Sequence, residues 1–181
     1  MALEFTPVIL TRILQGTPVW VYPLFLGLIV LGYLQSKPRD VAPAMLAILP
    51  VALGVFSLSR VLGTFGLEPL ALAAWAAGTA AALLLNSALK QPAGARWSAA
   101  TGSFHVPGSW VPLALMMAVF FARYAVAVSL AISPGLAHSA GFAATVSFGF
   151  GLLSGLFLAR ALRVWSQRPA VPALTLIFNR A

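Results

Sequence analysis

The chain has 181 residues, 61% of them hydrophobic and only 8% charged, and its eleven Lys and Arg outnumber three acids to give a formal net charge of +8. A soluble domain carries about 25% charged residues, so this composition argues against a soluble enzyme, a nucleic-acid binder and a disordered tail. It leaves an integral membrane protein, whose cations set its orientation. There is no cysteine, which excludes disulfides, thiol redox chemistry, Cys-ligated zinc and iron–sulfur clusters.

A bilayer core about 30 Å thick needs roughly 20 apolar residues in a helix. Five stretches meet that need, over about residues 17–34, 41–62, 69–89, 110–132 and 140–165. The fold expected is an all-α integral membrane bundle of five transmembrane helices, one domain over 1–165 with a tail over 166–181. The N-terminal stretch has no signal-peptide pattern, because Glu4 and Arg12 precede a long apolar run; it reads as an uncleaved anchor. Residues 7–15 read either as a short interfacial helix or as an extension of the first span. Pro43, Pro69 and Pro112 fall in first turns, where a missing N–H costs nothing. Ser109 is placed to cap the fourth span. Pro50 falls inside the second and predicts a kink.

The cations alternate between loops. Lys37 and Arg39 follow the first span, Lys90 and Arg96 follow the third, and Arg160, Arg163, Arg168 and Arg180 close the chain. Arg12 alone falls on the other side, while Arg60 and Arg123 lie within spans. The positive-inside rule then places the N-terminus outside and the C-terminus inside. This is the pattern of a multi-pass membrane protein.

The longest polar loop, residues 94–110, reads GARWSAATGSFHVPGSW. Residues 96–98 and 103–106 flank a turn-forming stretch, which suits a small cytoplasmic β-hairpin between the third and fourth spans; the plainer reading is a short turn. Arg96, Trp97, Phe104, His105 and Trp110 make this loop a candidate dock, with its aromatic residues pressing on the membrane surface. The run FHVPGSWVPLALMMAVFFARY over 104–124, with Arg96-Trp97 and the Thr101-Gly102 turn, resembles a family of small bacterial inner-membrane proteins of unknown function. The hairpin followed by an Arg-Tyr span is distantly similar to CcdC-type membrane proteins. The resemblance implies a multi-pass protein of the cell inner membrane and transfers no activity or catalytic residue.

Charges inside spans are costly and point inward. Under this topology Arg60, Glu68, Arg123 and His138 fall in the outer half and form a candidate polar cluster. Glu68 is placed to neutralise Arg60 or Arg123. Two readings stand: a structural ion pair, or a positive site for an anionic headgroup or small anion. In the fifth span Ala143, Ser147, Gly151, Gly155 and Ala159 recur at steps of four, with Arg163 continuing the row. Such a small-residue ladder lets a second helix approach closely, either the Ala-rich third span or another subunit.

The two histidines fall on opposite sides, and no metal or haem ligand spacing accompanies either. No nucleophile, Walker or paired-carboxylate pattern is present. The expectation is therefore a non-enzymatic membrane protein without metal or cofactor. It binds membrane lipid, a membrane-protein partner or a second copy of itself, and not nucleic acid. A small permease or channel subunit using a polar cavity at Arg123 is the alternative, and a membrane enzyme the third reading.

Overall fold

The computed structural model describes residues 18–167, apart from 20, 90 and 91. In chain order it contains α1 (Val21–Gln35), β1 (Arg39–Val41), α2 (Pro43–Phe65), α3 (Pro69–Leu89), β2 (Arg96–Ser98), β3 (Ser103–Val106), α4 (Val111–Ile132), a 3₁₀ turn (Pro134–His138) and α5 (Ala140–Trp165). Glu4, Arg12, the 7–15 segment, Lys90 and the tail beyond Gln167, with Arg168 and Arg180, lie outside the described residues.

The four helices α2 to α5 are long and apolar enough to cross a membrane. Their surfaces carry exposed apolar side chains such as Met45, Ile48, Val55, Leu84 and Phe121. In water so much apolar surface is untenable; against lipid it is the expected outer wall. The chain is thus a mostly helical, multi-pass membrane protein. The first expected span differs. Its helix begins at Val21 and has 15 residues, about 22 Å at 1.5 Å per residue. Pro18 stands at the turn that feeds it, where Val21 N–H donates to the Pro18 carbonyl at 3.0 Å. Pro50 lies inside α2, as expected, and is buried.

The tightest seam joins α3 to α5, and α5 also packs broadly on α2. The small-residue row builds it: Ala143, Ser147, Gly151, Gly155 and Ala159 are all buried. A Cβ on Gly151 would strike the Trp75 backbone carbonyl, and one on Gly78 the Phe148 carbonyl. The two backbones therefore touch, which only glycine permits here. This answers the open question of the ladder's partner, since it packs on α3 of the same chain. Without a hydrophobic drive between helices in lipid, close contact and interhelical hydrogen bonds hold such seams. Thr79 Oγ1 donates to the Gly151 carbonyl at 3.2 Å, and Asn86 Nδ2 to the Ala159 carbonyl at 3.2 Å. Trp75 Nε1 donates to Ser57 Oγ at 3.0 Å, and Ser57 Oγ donates to the Phe150 carbonyl at 3.2 Å. This relay ties α3, α2 and α5 together.

The other side of the bundle is thinner. Among these helices α1 packs chiefly on α4, with Gly32 against Leu113 and Phe25 between Phe120 and Phe121.

The expected hairpin forms from β2 and β3, at the expected residues. The sequence reading missed its third strand. β1 pairs antiparallel with β3 on the other edge, with Asp40 opposite His105 and Val41 opposite Phe104. Three residues, Arg39-Asp40-Val41, are too few to show a strand period. The sheet joins the α1–α2 and α3–α4 connections at one end of the bundle, and the C-terminal turn of α5 packs beneath it through Val164.

Candidate functional site

The helix ends and the sheet gather one group of cations. Lys37 enters from the α1–β1 connection, Arg39 from β1, Arg96 from β2, and Arg160 and Arg163 from the last turns of α5. The described acid at this end is Asp40, whose Oδ1 lies 3.0 Å from His105 Nδ1 across the sheet. Lys37 Nζ sits 5.0 Å above the Tyr33 ring, and Arg39 Nη2 donates to Gln35 Oε1 at 3.2 Å. Partial desolvation draws the Arg39 pKa below its ordinary value, but a guanidinium stays charged. Two donors are left over. Arg160 Nη1 and Arg163 Nε are buried and have no partner among the described residues. An unpaired buried donor costs about 1–3 kcal/mol, more when charged.

The five dock residues divide. Phe104 is fully buried. Its ring meets Trp97 edge-on at 4.8 Å and lies 6.4 Å from Trp165. Phe104 and Trp97 therefore press the sheet onto the end of α5 rather than onto the membrane surface. The alternation of a strand explains this, because Phe104 points inward and its neighbour His105 outward. Arg96 and His105 are exposed. Trp110 is exposed as well, 6.3 Å from the Tyr33 ring, a placement that suits the interfacial aromatic belt.

Of the predicted polar cluster, the structure brings two members together. Arg123 Cζ lies 4.2 Å from the centre of the Phe56 ring and 5.7 Å from that of Phe150. Arg60 Cζ lies 5.4 Å from the same Phe56 ring. The two guanidiniums thus share one aromatic side chain, and their charges repel. Glu68 is exposed just before α3 and lies within 4.0 Å of neither arginine's nitrogens. His138 is exposed in the 3₁₀ turn. The expected neutralisation by Glu68 is not formed.

Phe56 and Phe150 are the residues that sequence reasoning missed. Phe56 precedes Arg60 by four positions on α2, which places the two side chains side by side. Phe150 reaches Arg123 only through tertiary packing. Burying an arginine at mid-span costs about 2.5–3.5 kcal/mol on insertion scales. A desolvated cation–π contact returns about 2 kcal/mol. The rings therefore compensate most of one cation. Arg60, exposed near the end of α2, bears less of that cost, and no described carboxylate lies within 4.0 Å of either arginine.

Two clefts line α5. One, of about 260 Å³, is bounded by Leu46, Ala47, Pro50, Val51, Leu158, Ala161, Leu162 and Trp165 and is almost wholly apolar. The other, of about 40 Å³, lies beside Pro50, Gly54, Trp75, Thr79 and Ser154. Among the described residues no three His, Asp or Glu gather to hold a metal.

Residues 2–171 match DUF6622, a family of unknown function, and the chain belongs to that family. No curated protein and no solved structure matches it.

Proposed function

We propose that this DUF6622 member is a non-enzymatic, five-span protein of the bacterial inner membrane, N-out and C-in, that binds anionic lipid at its sheet end. The observation that carries the reading is the pair of buried, unpartnered nitrogens, Arg160 Nη1 and Arg163 Nε, at the end that also holds Lys37, Arg39 and Arg96. Asp40 faces His105 there and is not spent on the arginines. Anionic lipids of the cytoplasmic leaflet attract basic residues by about 1 kcal/mol each. A lipid phosphate supplies acceptors for both orphan donors, and the apolar cleft along Leu158 and Leu162 offers room for an acyl chain on another face of the same helix.

The test is native mass spectrometry of the full chain released from nanodiscs that mix phosphatidylglycerol and phosphatidylcholine. Preferential retention of phosphatidylglycerol, reduced at least fivefold by joint R160Q and R163Q substitution, supports the reading. Equal retention of both lipids, or no change in the variant, defeats it. Labelling of a cysteine at Ser139 from the cytoplasm alone would reverse the orientation. A second reading, a small permease or channel subunit, has its support in Arg123, an unneutralised cation near mid-span. Arginine-dependent anion flux in proteoliposomes is its test.

A further inference from the structure

The bundle holds a second cationic locus, far from the sheet. Arg123 lies about 18 Å along α4 from its start and about 14 Å from its end, at 1.5 Å per residue. Arg60 lies about 8 Å before the end of α2. Both therefore fall in the half of the bundle remote from β1, β2 and β3. Their guanidiniums meet at Phe56, which is half exposed, and Phe150 backs Arg123 from α5.

The chemistry of this pairing is specific. Two like charges beside one ring repel, and hydrocarbon offers no counterion. Among the described residues neither arginine has a carboxylate within 4.0 Å. Arg60 and Phe56 are exposed, so the locus is open on the α2 side. A carboxylate of the chain is within reach in sequence at Glu68, yet it stays apart in space. What remains is a pair of planar donor forks from two helices, their Cζ atoms 5.4 and 4.2 Å from one ring centre.

We propose that Arg60 and Arg123 form a seat for a phosphate-type oxyanion between α2 and α4, closed from behind by Phe56 and Phe150. A tetrahedral phosphate presents enough oxygens to accept from two guanidiniums at once, and arginine forks match that geometry better than an ammonium does. The phosphate comes either from a phospholipid headgroup of the leaflet opposite the sheet or from free phosphate. This seat is separate from the sheet-end lipid site and does not depend on it.

The test uses the full chain, purified and delipidated in a neutral detergent. Thermal stability is measured against inorganic phosphate, then against phosphatidylglycerol in mixed micelles. Stabilisation by inorganic phosphate identifies the free ion as the source. Stabilisation by phosphatidylglycerol alone identifies the headgroup. In either case R60Q lowers the apparent affinity at least fivefold, and R60K, which keeps the charge but loses the fork, falls in between. R160Q with R163Q leaves this response in place, which separates the seat from the sheet end. Arg60 is exposed, so R60Q keeps the fold, and gel filtration verifies it; R123Q is the second variant. The proposal is overturned if neither probe stabilises the protein, or if R60Q and R123Q both bind as the wild type does.

Discussion

Two faces of α5 show opposite solutions to packing in a membrane. Against α3 it presents Ala143, Ser147, Gly151, Gly155 and Ala159, and backbone meets backbone with carbonyls satisfied across the seam. Toward α4 it presents Phe150, whose ring takes the guanidinium of Arg123. Where side chains are small, the helices close until backbone meets backbone. Where they are large or charged, the helices stay apart and leave chemistry exposed. The close seam is a structural device, and the open face is where an arginine rests on aromatic rings.

The sharpest way to break this contrast is to enlarge the close side. Gly151→Leu drives a branched side chain into the Trp75 backbone. Overpacking alone costs about 1–3 kcal/mol, and backbone cannot yield as a side chain can. The expected outcome is loss of folded, monodisperse protein, read by gel filtration from detergent. Had the ladder faced another subunit, the same change would leave a folded monomer.

A milder change probes the polar bonds of that seam. Asn86→Leu removes the donor to the Ala159 carbonyl. Interhelical hydrogen bonds in membranes average about 0.6 kcal/mol and reach about 1.7. Asn86 is buried in the close seam, so the upper part of that range is expected in a reversible unfolding titration.

A control on the same helix moves in the opposite direction. A Cβ on Gly149 meets nothing within 4 Å, two residues from the intolerant Gly151. Gly149→Ala removes the entropic cost of a mid-helix glycine and is expected to stabilise by about 0.5–1 kcal/mol. Equal destabilisation by Ala at both positions in the same titration would erase the distinction between the two faces.

These differences mark what could be read in advance. The helix bounds of α3, α4 and α5 followed from apolar runs and first-turn prolines, because lipid imposes length directly. The small-residue ladder was legible as spacing, but its partner was not, since spacing says nothing about which helix comes close. The hairpin showed through its turn residues. The added strand β1 did not, because its identity lies in what pairs with it. In the candidate sites, charge was legible and neighbourhood was not. Arg60 and Arg123 stood out as rare charges, and their union through Phe56, rather than through Glu68, is a fact of tertiary packing. Arg160 and Arg163 read only as topology signals, and burial reveals their unpaired nitrogens.

The smallest expected effect concerns the sheet. Asp40 and His105 face one another across β1 and β3, joined at 3.0 Å and both largely exposed. An exposed pair of this kind is worth roughly 0–1 kcal/mol and weakens with salt. The fully buried Phe104, by contrast, anchors β3 on its inner side. A double-mutant cycle of D40N and H105N is thus expected to give a coupling of about 0.5 kcal/mol at low salt. Hydrogen exchange in β1 should rise slightly while β2 and β3 stay protected. If the cycle instead gives several kcal/mol, the pair and not Phe104 fastens the sheet, and the two connections are held together from their solvent side. The cationic end would then owe its shape to one exposed contact, and lipid binding there should vary with the state of that contact.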